Sequence, residues 1–121
     1  MAKSGAIKGI IQGGDYLIGL TVSANGQPVN ITNWTVFFTV KKIATDSDAV
    51  ALIRKTITTL TNPTQGQTYI PITHDDTIPG GVPIPAGVYP YDIKLKDASG
   101  NELPIPASTI EIQQVITQRT S

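Results

Sequence analysis

The segment Thr73-His74-Asp75-Asp76-Thr77 holds the only histidine of the chain and is the one cluster that suggests metal chemistry. Imidazole and carboxylate groups are ordinary ligands of Zn²⁺ and Mn²⁺. Adjacent residues of a strand or loop point in different directions, so they rarely converge on one ion. The favoured interpretation is a polar strand-to-loop junction whose Asp side chains bond nearby backbone amides. We therefore expect no metal and no cofactor, and the alternative is a small metal-dependent enzyme built around His74.

Catalytic side chains are not arranged in any distinctive pattern. The nine acidic residues are scattered through turn-like segments and give no particular carboxylate pair for acid–base chemistry. A Ser-His-Asp triad would need His74 as its base, and no Gly-x-Ser-x-Gly motif is present to hold a nucleophile. The chain has no cysteine, which excludes disulfides, thiolate metal sites and a cysteine nucleophile. The sequence therefore predicts a protein that is not an enzyme.

The basic residues are candidates for an anion-binding surface. Six of the nine fall in or beside predicted strands: Lys41, Lys42, Arg54, Lys55, Lys94 and Lys96. If those strands are neighbours, the cations form a basic stripe for phosphate or for an acidic partner. The favoured alternative is a solvated outer face that limits edge-to-edge association. Because the formal net charge is zero and no aromatic residue obviously alternates with the cations, we expect no nucleic-acid partner.

The length and composition indicate one domain with its own core. A chain of 121 residues can bury a core without metal or disulfide staples, so we expect a single domain over 1–121 with a flexible end at 1–6. Only 15% of the residues are charged, which favours association and an oligomeric protein. No apolar run approaches membrane-spanning length, so we expect no membrane partner. The segment from Met1 to Gly9 lacks the apolar core of a signal peptide.

Alternation of apolar and polar residues with a period of two is the main structural signal. It is clearest from Tyr89 to Lys96, where Tyr89, Tyr91, Ile93 and Leu95 share one side. Further predicted strands, separated by turn signals such as Asn25-Gly26, cover Ile7–Ile11, Tyr16–Val22, Trp34–Lys42, Ile53–Leu60, Gln67–Thr73 and Thr109–Ile116. About seven strands with no convincing amphipathic helix predict an all-β fold. We interpret it as an immunoglobulin-like antiparallel β-sandwich, with a small barrel as the alternative.

Three regions are candidates for docking surfaces. Phe37 faces away from the expected core residues Trp34 and Phe38, so it either packs under the segment 44–51, which we favour, or forms an exposed patch. That segment is equally well read as a short helical turn or a polar crossover loop. The Pro/Gly-rich loop 78–86 presents apolar side chains, and the segment 1–12 could be donated to a neighbour as a strand. The candidate interface residues are Phe37, Ile78, Val82, Ile84, Ile7 and Ile10.

Several segments resemble a domain found in structural proteins of tailed phages. They are Gly14-Asp15-Tyr16-Leu17-Ile18, the run Asn25 to Thr32, Val36-Phe37-Phe38-Thr39-Val40-Lys41, the run Gly87 to Asp97, and Ile110 to Thr117. The chain is similar, over nearly its whole length, to the immunoglobulin-like N-terminal domain of phage baseplate upper proteins and related tail or head accessory proteins. Those proteins continue into a helical receptor-binding or adaptor region, and no such region follows here before Ser121.

The resemblance implies a non-enzymatic structural protein of the virion, made in the cytoplasm of the bacterial host. Its partners would be other virion subunits, on which it docks as a tail or baseplate adaptor or as a capsid decoration (cement) protein. The alternative is a carbohydrate- or receptor-binding β-sandwich module. That alternative predicts an exposed Tyr or Trp platform beside Asp or Asn side chains.

Overall fold

The computed structural model describes residues 7–43 and 50–114, apart from the side chain of Pro106. The predicted flexible end at 1–6 and most of the ambiguous segment 44–51 lie outside this range. No helix in the described residues is long and apolar enough to cross a membrane.

Nine strands are present in the described residues, and seven of them have five residues or more. They are β1 (Ile7–Ile11), β2 (Tyr16–Thr21), β3 (Ser23–Ala24), β4 (Gln27–Pro28), β5 (Thr35–Val40), β6 (Ile53–Ile57), β7 (Gln67–Ile72), β8 (Gly87–Lys96) and β9 (Glu102–Gln113). A short helix α1 (His74–Thr77) and the 3₁₀ turns Pro63–Gln65 and Pro79–Gly81 are also present. The prediction of an all-β protein with about seven strands is confirmed.

The larger sheet has five strands in the order β1-β9-β8-β5-β6. Its central pairs are antiparallel, as predicted, but β1 runs parallel to β9, with Ile7 opposite Ile110 and Ile10 opposite Ile112. The last strand also begins earlier than predicted, at Glu102, despite Pro104. Proline is tolerated there because, within the described residues, β1 pairs with β9 only from Ile110 onwards and β8 is the one strand that pairs with this part of β9.

The smaller sheet consists of β2 and β7 in antiparallel pairing. The hairpin of β3 and β4 follows β2 and turns at Asn25-Gly26, where both residues have positive φ angles of 53° and 78°. The predicted tight turn is therefore confirmed. With β2 and β7 in one sheet and β5, β8 and β9 in the other, the pairing is that of an immunoglobulin-like sandwich.

Another immunoglobulin-like feature lies at the start of β8. The hydroxyl of Tyr89 donates a hydrogen bond to the carbonyl oxygen of Pro85, four residues upstream. This contact is the tyrosine corner, which fixes the turn leading into that strand in immunoglobulin-like domains.

The core lies between the two sheets and is almost entirely aliphatic. Phe38 is fully buried near its centre, and its ring centroid lies 5.4 Å from that of Tyr91. Trp34 and Tyr89, which we expected in the core, are only partly buried and pack against it. The other fully buried apolar side chains of the described residues are Val22, Ile31, Val36, Val40, Ile70, Ile72, Leu95, Ile110 and Ile112.

The neighbouring phenylalanines of β5 give a direct test of this packing. We expect Phe38→Ala to lower the free energy of unfolding by about 3–5 kcal/mol, because it leaves a large cavity between the sheets. Phe37→Ala is the matched control and should cost clearly less, since Phe37 lies half-buried on the outer face. Urea denaturation of both variants measures the difference. Equal losses would mean that Phe38 is not at the centre of the core.

Candidate docking surface

The residues around His74 form a cap for helix α1. The Asp76 carboxylate accepts hydrogen bonds from the Thr73 N–H at 2.7 Å and from the Thr73 hydroxyl at 3.1 Å, which makes a capping box. The His74 N–H donates to Asp15 Oδ1 at 2.8 Å, and this bond ties the helix to the turn between β1 and β2. The described residues contain no group of three or more His, Asp or Glu side chains that could hold a metal.

Asp76 also connects the two sheets through an ion pair with Lys55. Lys55 lies directly opposite Phe38 across β5 and β6, so its side chain starts on the inner face of the larger sheet. Its Nζ reaches Asp76 Oδ2 at 2.8 Å, and both side chains are about four-fifths buried. An inward-pointing charge on an edge strand needs such a partner, and it also prevents further strands from pairing at that edge.

The ion pair and the cap together lower the pKa of Asp76. Burial by itself raises the pKa of this carboxyl group, but the hydrogen bonds from Lys55 and Thr73 and the positive charge of Lys55 outweigh that effect. The folded protein therefore stabilises the ionised form of Asp76.

The outer face of the larger sheet does not carry the basic stripe considered above. Arg54, Lys94 and Lys96 lie there, but Asp92 lies among them, and Lys94 forms an ion pair of 3.3 Å with Glu102. Phe37 is half-buried at the centre of this face, and the Lys94 Nζ lies 5.6 Å from its ring centroid. Most of the segment 44–51, under which we predicted Phe37 to pack, lies outside the described range.

The other predicted interface residues fall into two groups. Val82 is 69% exposed, and Ile78 and Ile7 are partly buried, so these three offer some accessible surface. Ile84 and Ile10 are each only 4% exposed, and the structure places them in the core instead of at a surface.

Ile84 and Ile10 are buried because the backbone at each residue is bound to, or paired with, another segment of the protein. The Ile84 carbonyl accepts a bond from the buried Gln12 side chain at 2.6 Å, and the Ile84 N–H donates to Thr77 at 2.8 Å. Ile10 lies opposite Ile112 on the inner face of the larger sheet.

A further apolar surface, which we did not predict, lies on the outer face of the smaller sheet. We call it the small-sheet face and define it by Leu17, Gly19, Tyr69 and Pro71. Leu17 is 68% exposed and Tyr69 is 48% exposed. An ideal Cβ on Gly19 would lie 3.8 Å from the Tyr69 ring, so this ring passes close to the Gly19 backbone. Alternation along the predicted strand Tyr16–Val22 puts Tyr16, Ile18 and Leu20 on one face, which implies that Leu17 lies on the opposite face.

The small-sheet face opens into a groove of about 600 Å³ beside β7. Ile57 and four threonines line its other wall: Thr56, Thr58, Thr59 and Thr61. None of the residues that line this groove is charged, and none is Asp or Asn. An uncharged groove with exposed Leu and Tyr side chains is suited to contact with an apolar part of another molecule.

Comparison with family models and with curated proteins finds no match. Among solved structures, the chain is similar to murine CRIg, with 14% sequence identity and a TM-score of 0.43. The aligned region covers 95% of this chain and 97% of that chain. A likeness at this TM-score supports no argument about function, and the immunoglobulin-like assignment rests on the strand pairing.

The ion pair of Asp76 predicts an acid-sensitive stability. Because its pKa is lowered on folding, Asp76 stabilises the protein above the ordinary value of 3.8, and this contribution disappears as the pH falls through the lowered pKa. We expect Asp76→Asn to reduce the free energy of unfolding at neutral pH by about 1–3 kcal/mol and to flatten its decline in acid. Urea denaturation at a series of pH values measures both effects.

Asp75→Asn is the control for this prediction, because the Asp75 side chain is almost fully exposed. It should change the stability and its pH dependence much less than Asp76→Asn. If Asp76→Asn kept the acid-induced decline of the unchanged protein, the proposed role of the ion pair would be wrong.

Proposed function

We propose that this protein is a non-enzymatic structural subunit that docks on neighbouring subunits through the small-sheet face. The observation that carries this proposal is the exposure of Leu17 and Tyr69 side by side in one uncharged groove. Complete burial of a leucine side chain contributes about 1.5–3 kcal/mol, and an aromatic ring adds a comparable amount. Contacts of this size suit a subunit that is held at many equivalent positions of a symmetric assembly.

The assembly that we propose is the particle of a tailed phage. Support comes from the resemblance of the segments around Tyr16, Phe37 and Tyr91 to phage tail and head accessory domains, and from the low fraction of charged residues. In such a particle the protein is a tail or baseplate adaptor or a capsid decoration protein. Its partners are then other virion subunits, and it has no role in binding nucleic acid or membrane.

A carbohydrate- or receptor-binding module is the second candidate, because Tyr69 is an exposed aromatic side chain. Sugar recognition combines such a ring with hydrogen-bonding groups that fix the ligand's orientation. The groove beside Tyr69 offers hydroxyl groups of threonine and no Asp or Asn. We therefore place docking on a protein first.

Substitution of Leu17 tests the docking proposal. We expect Leu17→Ser to reduce the amount of the protein incorporated into particles by about tenfold, because it removes apolar contact area worth at least 1.4 kcal/mol. Val88→Ser is the matched control, since Val88 is 61% exposed but lies on the larger sheet. Quantitative mass spectrometry of purified particles measures incorporation. Equal incorporation of both variants would contradict docking through the small-sheet face.

Immunogold electron microscopy of particles from the source lysate tests the virion proposal separately. Antibody label at the tail tip would support the adaptor role, and label over the head would support the decoration role. The absence of label from all particles would contradict a virion protein, and the carbohydrate- or receptor-binding module would then become the first candidate.

A further inference from the structure

We infer that the free edge of β2 binds an extended, uncharged segment of a partner polypeptide as an added strand. This inference rests on the proposed docking function and names the kind of partner segment that the small sheet would take. It follows from the direction of the backbone groups in β2 and β7. Within residues 7–43 and 50–114, this edge also has no pairing strand, and β2 itself has no charged residue.

The direction of the backbone groups in β7 is fixed at Gln67. Its N–H donates to the Asn62 carbonyl at 3.1 Å, and its carbonyl accepts from the Asn62 N–H at 3.0 Å. Gln67 therefore directs both backbone groups away from β2. In antiparallel pairing this direction alternates along the strand, so Tyr69 and Pro71 also face away from β2, and Thr68, Ile70 and Ile72 face towards it.

Two further observations support this register. The Val22 N–H donates to the Gly66 carbonyl at 2.7 Å, which is the bond expected one position beyond the pair of Thr21 and Gln67. Pro71, which has no N–H, falls where β7 needs no donor towards β2.

The same register determines the free edge of β2. Leu20, Ile18 and Tyr16 lie opposite Thr68, Ile70 and Ile72 and share the ladder bonds with them. Leu17, Gly19 and Thr21 consequently direct three N–H and three carbonyl groups to the other side. No strand of the described residues pairs with β2 on that side. An edge with a row of unpaired donors and acceptors is a template for another strand.

The outer edges of β7, β6 and β1, the other strands of five or more residues that end a sheet, are protected. On β7, Pro71 lacks a donor and the bonds between Asn62 and Gln67 close one end. On β6, Arg54 and the inward-pointing Lys55 disfavour pairing. On β1, a register shift interrupts the strand between Ile7 and Ile10. The β2 edge has no charged residue, no proline and no bulge.

The surroundings of β2 specify the chemistry of the partner segment. A charged side chain placed against Leu17 or the small-sheet face would lose hydration without gaining an ion pair, so the segment must be uncharged there. The side chains of the partner segment that point into the protein should be apolar, because they would lie next to the half-buried Tyr16 and Ile18. The six residues of β2 span about 20 Å, which accommodates a partner strand of five or six residues.

Gly19 provides a matched pair of variants for the test. Gly19→Pro removes an N–H from the free edge without removing a bond of the ladder with β7. Gly19→Ala keeps the N–H, and its Cβ would make an ordinary contact of 3.8 Å with Tyr69. The probe is a capped, fluorescently labelled peptide of alternating threonine and valine, six residues long, with a glycine and two lysines added for solubility. Fluorescence anisotropy measures its dissociation constant.

We expect the unchanged protein and Gly19→Ala to bind the probe with similar affinity and Gly19→Pro to bind about fivefold to tenfold more weakly. If Gly19→Pro does not fold, Thr21→Lys replaces it, with Thr109→Lys on the larger sheet as its control. Failure of the unchanged protein to bind the probe would overturn the inference. Equal binding by Gly19→Pro would overturn it too, as would displacement of the probe by a second copy of the chain.

Incorporation into particles separates this inference from the proposed function. If Leu17→Ser loses incorporation but Gly19→Pro keeps it, docking through the small-sheet face stands and strand addition is wrong. If Leu17→Ser is incorporated as well as Val88→Ser, the proposed docking surface itself is wrong, whatever the probe shows.

Discussion

In the described part of the chain, the two-stranded sheet of β2 and β7 faces the five-stranded sheet, so the two sheets contribute unequal numbers of side chains to the core. Five strands span roughly 24 Å and two span roughly 10 Å, so two strands cannot cover the inner face. Segments outside the strands cover the rest, and they contribute Ile31, Ile84 and Gln12 to the buried set. This imbalance explains why the Pro/Gly loop is folded inwards at Ile84.

Polar contacts hold the segments that cover the larger sheet. The same contacts give the charge of Lys55 and the side-chain amide of Gln12 their partners. Lys55 would be an uncompensated inward charge without Asp76, and Asp76 at the same time caps helix α1. The Gly13 N–H donates to the Thr77 hydroxyl at 2.7 Å, which joins the turn after β1 to the same helix. The polar groups named here around α1 therefore have partners within the protein. The outward N–H and carbonyl groups of Leu17, Gly19 and Thr21 on β2 have no pairing strand in the described residues. This difference is the reason why we propose the smaller sheet as the docking site.

Much of the fold could be predicted from the sequence, because the strands are half-buried and alternate. The opposite orientations of Phe37 and Phe38 and the burial of Tyr91 followed from that pattern and are confirmed. The parallel pairing of β1 could not be predicted, since alternation within a strand carries no information about the direction of its neighbour. The burial of Ile84 could not be predicted either. It arises because the Pro/Gly loop covers part of the five-stranded sheet that the two-stranded sheet is too narrow to cover.

The candidate site was only partly accessible to sequence reasoning. Val82 is exposed as expected, whereas the loop as a whole is held to the core through Ile84. The outward position of Leu17 was implicit in the alternation of β2. Its significance appears only when Tyr69, about fifty residues later in the chain, lies beside it in the paired strand.

Amide hydrogen exchange along β2, measured for the free protein and for the protein in its assembly, tests the central claim most directly. In the free protein, the amides of Leu17, Gly19 and Thr21 should exchange quickly, and those of Ile18 and Leu20 should be protected by the ladder with β7. Assembly should slow the first three. Uniform protection along β2 in the free protein, or fast exchange of these three amides in the assembled protein, would contradict the account.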